Sequence, residues 1–255
     1  MPGFSTSAII LRRVDFGDYD LILSLLTSNK GKISAIAKSA KKSTKRFSGI
    51  LELFSVLQVV CSTGRRNSLP VLQEAELKTP FPAIRADIEK TAYASYWAEL
   101  IDTWSEEGQK QNDLYRLLRY VLMQLDQDRM PPAVISSLFQ LRFLLVSGYR
   151  PNLSHCSTCN RELDQIKKKA VHFDLARGGL ICDRCGTGAS GRPVLTKGTI
   201  KQLLWLEKVA LSKAGRIRFS SQAVDESLVF LETFVPYHLG REPRSLKFLR
   251  QIREK

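Results

Sequence analysis

The stretch TSAIILRRVDFGDYDLILSLLTSNKGKISAIAK, residues 6–38, decides the fold of the first part of the chain. It holds three apolar segments separated by two polar, glycine-containing turns, DFGDYD and SNKG. Short apolar runs bounded by Gly, Asn and Asp are typical of β-strands. In the last segment Ile33, Ala35 and Ala37 lie at every second position, which is the period of a strand with one buried face. We therefore predict three consecutive short strands.

Two further strands are predicted beyond a long basic connection, from SVLQVVC at residues 55–61 and PVLQEAEL at residues 70–77. Five short strands with an extended link between the third and the fourth favour a small closed barrel. The oligonucleotide-binding (OB) fold is the natural candidate. A small β-sandwich or an SH3-like barrel fits the same pattern almost as well.

The hydrophobic period becomes helical from residue 83 onward. One apolar stripe runs from Ile88 to Trp104, and a second, Leu114 to Leu125, follows Asn112, a candidate N-cap. Such stripes favour the core of a helical bundle over a cofactor site. Further helices are predicted from Pro131–Pro132 to near Gly148, from about Thr196 to Ala214, from about Ser221 to Phe234 ahead of Pro236, and in the tail around Leu246, Leu249 and Ile252.

The charge of the chain indicates a polyanionic partner. There are 39 Lys and Arg against 25 Asp and Glu, a net charge of +14, which favours nucleic acid first and an anionic membrane surface second. Residues 81–150 are nearly neutral, so the basic character belongs to the two ends and to the cysteine-containing region. We predict a nucleic-acid-binding barrel at residues 1–80 and a helical domain at residues 81–255.

Membrane insertion and secretion are not expected from this sequence. Its apolar runs are far shorter than the roughly 18 residues that span a bilayer, and its N-terminus lacks the features of a signal peptide. Five cysteines, an odd count with four in close pairs, suit reduced thiols in a cytosol better than a disulfide framework. We therefore expect a cytoplasmic protein.

Two Cys-x-x-Cys pairs indicate a metal site. The segments CSTC and CDRC begin at residues 156 and 182, and between them AVHFDL and LIC flank ARGG, a predicted hairpin with Gly178 and Gly179 at its turn. Four thiolates complete the tetrahedral shell of a structural zinc ion, whereas disulfides and unpaired thiols are weaker alternatives, as is replacement of a cysteine by His155. We predict an inserted zinc element at about residues 151–195 that binds one Zn²⁺ per chain through Cys156, Cys159, Cys182 and Cys185.

The sequence offers little for catalysis. A catalytic zinc keeps an open position, which four cysteines close, and the His-x-Glu motif of nucleobase deaminases does not occur. Phosphate-binding loops, the dinucleotide-binding glycine motif and the nucleophile elbow do not occur either. Cys61 closes an apolar strand and is interpreted as a core thiol. We therefore predict that the protein is not an enzyme and has no catalytic residues.

The connection between the third and fourth strands is a candidate nucleic-acid site. The segment KSAKKSTKRF, residues 38–47, contains five cations and no acidic residue, and Phe47 is a possible stacking surface. Since nothing offers base-edge recognition, we expect contacts to the phosphate backbone with little sequence preference. The predicted nucleic-acid-binding residues are Lys38, Lys41, Lys42, Lys45 and Arg46, with Arg12, Arg13, Arg65 and Arg66 as weaker candidates.

These features together resemble the bacterial RecO family of recombination mediators. The resemblance is most specific in SGYRPNLSHCSTC and FDLARGGLICDRC, residues 147–159 and 173–185. GKISAIAKSAKKSTKRFSG and YHLGREPRSLKFLRQ match the family in order and placement, so the resemblance covers essentially the whole chain. It implies an α+β multidomain protein: an N-terminal OB-fold β-barrel followed by an α-helical domain with an inserted four-cysteine zinc element. Some members of the family have lost these cysteines.

The resemblance also implies a function in recombination and DNA repair. RecO-like proteins bind single- and double-stranded DNA, anneal complementary strands, bind the tail of single-stranded DNA-binding protein, and work with RecR to load RecA. A cytoplasmic, nucleoid-associated adaptor without active-site chemistry is therefore expected. The alternative is a zinc-ribbon RNA-binding or ribosome-associated protein with the same basic barrel.

Overall fold

The N-terminal region is a closed β-barrel and most of the remaining chain is helical. A computed structural model describes residues 3–63, 68–186 and 191–254. The helical part is interrupted by a small four-stranded sheet that carries the paired cysteines. The predicted fold class, an OB-like barrel followed by helices with an inserted four-cysteine element, is confirmed.

The barrel has the strand order β1-β2-β3-β5-β4 and is closed by pairing of β1 with β4. All neighbours are antiparallel except β3 and β5, which run parallel and meet at Ile36 and Val71. This closed five-stranded order favours the OB fold over the sandwich and SH3-like alternatives. The strands are β1 (Gly3–Phe16), β2 (Asp20–Thr27), β3 (Gly31–Ala37), β4 (Val56–Ser62) and β5 (Val71–Thr79).

The barrel interior is filled by the alternating apolar side chains of the strands. Cys61 lies in this core without solvent exposure, as predicted, and burial raises its pKa to about 11. Phe47 is also a core residue, only 3% exposed, so its predicted role as a stacking surface is wrong. The physical reason is that the end of the basic loop turns inward and covers the barrel. Other core side chains are Ala8, Ile10, Leu23, Leu25, Ala35, Leu57, Val59 and Leu72.

The first helices follow the barrel directly. Asp87 caps the long second helix by accepting a hydrogen bond from the backbone N–H of Lys90 at 3.0 Å. The predicted N-cap Asn112 is instead the first residue of its helix, because Gln111 occupies the cap position without a side-chain cap bond. These helices are α1 (Pro82–Ala86), α2 (Ile88–Trp104), α3 (Asn112–Asp126) and α4 (Pro132–Val146).

The later helices differ from prediction at two ends. The single helix expected from about Thr196 to Ala214 is broken, because Arg142 donates hydrogen bonds to the carbonyls of Leu206 and Val209 and so satisfies the end of the first segment. The helix expected to stop near Phe234 continues through Pro236, at the cost of one backbone hydrogen bond. The elements are α5 (Lys197–Lys208), α6 (Leu211–Ala214), α7 (Ser221–Leu239, ended by Gly240 at φ 69°) and α8 (Arg244–Arg253).

The small sheet has the order β6-β8-β7-β9. Strands β7 and β8 form the predicted hairpin, and β6 runs parallel to β8, which brings the two cysteine pairs to one end of the sheet. Its strands are β6 (Asn152–Cys156), β7 (Ala170–Asp174), β8 (Gly179–Ile181) and β9 (Val194–Thr196).

Packing divides the chain into two compact units. One comprises Met1–Gln127 with Pro243–Lys255, and the other comprises Asp128–Glu242. In the first unit α8 packs on α2, where the Glu99 carboxylate accepts the backbone N–H of Ser245 at 2.8 Å. The boundary predicted at residue 80 follows the change from strand to helix and stays a prediction. None of the helices among the described residues is long and apolar enough to cross a membrane.

Candidate metal centre and nucleic-acid interface

Each cysteine pair lies where a strand of the small sheet ends. Cys156 is the last residue of β6, and Cys182 directly follows β8, so pairing of these strands places the two residues side by side. A tight turn follows each of them and brings back the second cysteine of the pair. In the second turn, the backbone N–H of Cys185 donates to the carbonyl of Cys182 at 3.1 Å.

The four thiols are arranged as a metal site. The Sγ atoms of the four cysteines all lie within 4.8 Å of one another. The Sγ atoms of Cys159 and Cys182 are 3.6 Å apart, far longer than a disulfide of about 2.05 Å. A tetrahedral ion with bonds of about 2.3 Å to sulfur separates its ligands by roughly 3.8 Å. The cysteines are therefore spaced as ligands of a single ion, and the predicted disulfide alternative is not observed among them.

The protonation states of the clustered thiols depend on one another. Burial opposes ionisation of Cys156, but hydrogen bonds from the backbone of Cys182, Cys159 and Thr158 lower its pKa to about 6. Hydrogen bonds with the thiols of Cys182 and Cys159 raise the pKa of Cys185 to about 12, and the negative charge of Cys156 adds to this effect. A cation bound among the sulfurs would compensate that charge and allow all four cysteines to bind as thiolates.

His155 is not part of the cluster. Its Nδ1 lies 2.9 Å from the Oγ of Ser154, and the metal-ligating group found in the described residues contains cysteines only. His172 lies in β7, and His238 packs against the rings of Phe234 and Tyr149. The sulfur donors of the four cysteines therefore suffice for the site.

Glycine is required at one position beside the cysteines. Gly178 occupies the predicted hairpin turn with φ 62°. Gly179 lies in β8 instead, where an added Cβ would meet the Oγ of Ser157 at 2.1 Å and the Cβ of Asn152 at 2.9 Å. Such contacts are possible only for glycine, so Gly179 allows the two cysteine-bearing segments to approach closely.

The basic loop, residues 38–47, lies in the connection between β3 and β4. The side chains of its cations are exposed to solvent. Ala40–Lys42 form one 3₁₀ turn, after which the chain folds over the barrel and buries Phe47. The loop is held to the β1–β2 turn: the backbone N–H of Lys41 donates to the carbonyl of Tyr19 at 3.0 Å, and that of Ser39 donates to the carboxylate of Asp20 at 2.7 Å. All five predicted cations of the loop are exposed: Lys38, Lys41, Lys42, Lys45 and Arg46.

Several of the predicted cations already have partners. The Arg46 guanidinium donates to the carbonyl of Lys38 at 2.9 Å and lies over the Phe47 ring, 4.6 Å from its centroid. Exposed ion pairs contribute less than about 1 kcal/mol, so phosphate groups can compete for such cations. The ion pairs join Lys41 to Asp15 at 3.0 Å, Arg13 to Glu52 at 3.1 Å and Arg12 to Asp102 at 3.4 Å.

The remaining predicted nucleic-acid-binding residues differ in their surroundings. Among the described residues, Lys38 and Lys45 form no side-chain ion pair, which leaves their charges available in solvent. Arg65 and Arg66 lie outside the described residues, so their predicted contribution stays a prediction. Arg12 and Arg13 lie on β1, within the same compact unit as the loop.

Sequence reasoning missed a group of apolar side chains at the β1–β2 hairpin. Val14, Phe16 and Tyr19 are 40%, 52% and 44% exposed. The signal was present in DFGDYD, residues 15–20, where two aromatic residues stand among acidic ones in a turn. As a polar, glycine-containing turn, this segment predicts only a connection between strands.

Comparison with known proteins matches both parts of this architecture. The family Recombination protein O N terminal matches residues 1–81, and Recombination protein O C terminal matches residues 85–247. The chain belongs to the Recombination protein O family. The expected family is thus confirmed, and with it a place among DNA repair and recombination proteins.

Relatives within the Recombination protein O family align over their whole length. DNA repair protein RecO of Desulfatibacillum aliphaticivorans is 45% identical over 256 residues, covering 100% of this chain and 99% of the relative. DNA repair protein RecO of Desulfosudis oleivorans is 45% identical, covering 99% of each chain. DNA repair protein RecO of Geobacter metallireducens is 34% identical, again covering 99% of each. These matches favour the recombination interpretation over the RNA-binding alternative.

Proposed function

We propose that the protein is a recombination mediator that binds single- and double-stranded DNA without sequence specificity and anneals complementary strands. The observation that carries this proposal is the exposed basic loop on an OB-like barrel. Membership of the Recombination protein O family supports it. A barrel of this kind binds nucleic acid strands on its surface, where loops and strand faces meet.

The loop supplies charge without a means of reading bases. Its cations end in ammonium or guanidinium groups that neutralise phosphates, and each neutralised phosphate releases condensed counterions. Contacts of this kind position the protein on any sequence. Annealing needs the same property, because two complementary backbones must approach each other despite their like charge.

The proposed activity requires no bond to be made or broken by the protein. The metal-ligating cluster found in the described residues consists of four cysteines, which leave a bound ion no open position for a water or substrate. We infer that the protein acts as a non-enzymatic adaptor and that Zn²⁺ has a structural role. Thiolate ligands and tetrahedral spacing are typical of zinc.

The proposed partners follow from the family resemblance. They are RecR, the C-terminal tail of single-stranded DNA-binding protein and, indirectly, RecA, which the mediator would help to load onto coated DNA. Work on chromosomal DNA would place the protein in the cytoplasm, in association with the nucleoid.

Annealing of strands coated with single-stranded DNA-binding protein tests the proposal. We expect the purified chain to accelerate pairing of two complementary coated oligonucleotides. The variant with Lys41, Lys42, Lys45 and Arg46 changed to glutamine should lose most of this acceleration, because it loses the phosphate contacts while keeping side chains of similar length.

Two measurements complete the test. The glutamine variant should keep the metal content and the melting temperature of the parent, because the exposed loop cations contribute little to folding. The proposal would be contradicted if the parent did not accelerate annealing at all. Faster annealing of complementary RNA strands than of DNA strands would also contradict it and would favour the RNA-binding alternative.

A further inference from the structure

The tip of the β1–β2 hairpin combines exposed aromatic rings with a cation. The turn that joins Phe16 to Asp20 contains Gly17, whose φ of 57° allows the chain to reverse. Phe16 is the last residue of β1, and Tyr19 is the last residue of the turn. Both residues are about half exposed to solvent. A hairpin tip made of polar residues would not present such an apolar surface.

The Tyr19 ring is already used as a π surface. The ammonium group of Lys42 lies 3.3 Å from the centroid of that ring, so a cation of the basic loop covers part of the ring. The hydrogen bond from the backbone N–H of Lys41 to the carbonyl of Tyr19 fixes the loop and the hairpin tip to each other. Aromatic surface and phosphate-binding charge are therefore held together in one place on the barrel.

We propose that Phe16 and Tyr19 form a base-stacking site for single-stranded DNA, adjacent to the phosphate-binding loop. This inference rests on the proposed function, which it extends from charge neutralisation to recognition of unpaired bases. A base with an exposed π-face stacks on an aromatic ring whatever its identity, so the site adds affinity for single strands without sequence preference. Bases stacked inside a duplex are not available to it.

The acidic residues of the hairpin are compatible with this assignment. Asp15 is paired with Lys41, and the Asp20 carboxylate accepts a hydrogen bond from the backbone N–H of Ser39, which anchors it to the basic loop without neutralising its charge. Asp18 is exposed and repels phosphate groups. The backbone of a bound strand would follow the basic loop, and its bases would turn toward the tip.

A protein surface is the competing occupant of the exposed rings. The Lys42 ammonium over the Tyr19 ring favours a ligand that is both polyanionic and aromatic, and single-stranded DNA is such a ligand. An ordinary hydrophobic protein contact would not require the cluster of loop cations. The two occupants differ in their dependence on the bases of the strand, which an experiment can remove.

The test compares two oligonucleotides of equal length and charge. One is oligothymidylate, and the other is an abasic strand with the same phosphates but no bases. The double variant Phe16→Ala/Tyr19→Ala should bind oligothymidylate about five- to a hundredfold more weakly than the parent, because one or two stacking contacts are lost. It should bind the abasic strand and a duplex as tightly as the parent, and its salt slope on oligothymidylate should be unchanged.

Control variants separate stacking from general effects. Phe248→Ala removes an aromatic residue that is 41% exposed on α8 in the same compact unit, and it should leave binding unchanged. Phe16→Trp keeps a stacking ring and should bind oligothymidylate more tightly than Phe16→Ala does. Equal weakening on the abasic strand would overturn the inference, because the loss would then concern phosphate contacts or folding. Unchanged binding to oligothymidylate would overturn it as well and assign the rings to another partner.

Failure of this inference is distinguishable from failure of the proposed function. If the loop variant weakens binding of oligothymidylate while the aromatic double variant does not, the proposed function stands and the stacking site is wrong. If the parent binds neither strand, the proposed function fails together with this inference.

Discussion

Cys61 shows how a single buried residue makes the stability of the barrel depend on pH. Its thiol has no solvent exposure, and burial in the apolar core disfavours the charged thiolate. The pKa is therefore raised from about 9 to about 11. Between these two pH values the folded protein keeps a proton that the unfolded chain loses. Folding stability contributed by this group is thus complete below pH 9 and is lost as the pH rises toward 11.

The variant Cys61→Ala tests this linkage. At neutral pH the parent should be more stable, because the variant leaves a small cavity in the core. The difference in free energy of unfolding should shrink between pH 9 and pH 11, by up to about 3 kcal/mol, since each pH unit contributes about 1.4 kcal/mol. Denaturant titrations of both proteins from pH 7 to pH 11 provide the measurement. A difference that stays constant over this range would show that the thiol does not titrate with folding.

The basic loop shows which residues the sequence could and could not assign. The exposure of its cations was predictable, because a run of Lys and Arg without apolar periodicity cannot be buried. The burial of Phe47 was not, since it depends on how the loop turns back over a barrel whose opening is formed by residues distant in sequence. Likewise, the pairing of Lys41 with Asp15 joins two segments that the sequence does not bring together.

Among the elements, the cysteine-bearing sheet is the one that a bound metal ion would stabilise most directly. Its strands are only three to five residues long, and the sheet packs on α7, where the Phe173 and Phe230 ring centroids lie 4.5 Å apart. Binding of a metal ion by four cysteines from two segments would add to this packing, because the free energy of binding is also free energy of folding. Gly179, with no Cβ, permits the close approach of the two segments.

Replacing Cys182 by serine should remove the ion and destabilise the unit that contains the sheet. We expect the parent to contain one equivalent of zinc and the variant to contain little or none. A loss of even about 2 kcal/mol would lower the melting temperature by about 4–8 °C in a protein of this size. Metal analysis and calorimetry are the measurements. The matched control is Cys61→Ala, which also removes one thiol but should keep a full equivalent of zinc.

A variant Cys182→Ser that retained its zinc and melted like the parent would contradict the assignment of this cysteine as a ligand. Absence of zinc from the parent, purified without chelator, would contradict the identity of the ion.

Prediction of elements succeeded where local pattern decides and failed where distant contacts decide. The five barrel strands and the paired cysteines follow from alternation and spacing. The end of α5 depends on a hydrogen bond from Arg142, which belongs to another helix. Continuation of α7 through Pro236 requires packing that outweighs a lost hydrogen bond, and proline by itself indicated a stop.

For the whole molecule, total charge and its position have different consequences. The unit Asp128–Glu242 carries 17 Lys and Arg against 10 Asp and Glu, so it holds half of the net charge of +14. Long-range attraction to DNA depends on this total, whereas the salt dependence of binding reports the number of phosphates that are neutralised at contact. Two variants with the same net charge can therefore separate the two effects.

The two variants each replace three lysines by glutamine and have the same net charge. The first changes Lys41, Lys42 and Lys45 in the basic loop, and the second changes the exposed lysines Lys167, Lys168 and Lys169 of the cysteine-containing region. Each lysine that neutralises a phosphate of a single strand contributes about 0.7 to the slope of log affinity against log salt.

The loop variant should therefore flatten that slope by about two units, while the second variant changes it little. Oligonucleotide binding measured by fluorescence anisotropy at four or more salt concentrations gives both slopes. Equal flattening by the two variants would mean that the DNA also contacts the cysteine-containing region. An unchanged slope in the loop variant would mean that the loop is only a solvated surface and that the strand follows other cations of the molecule.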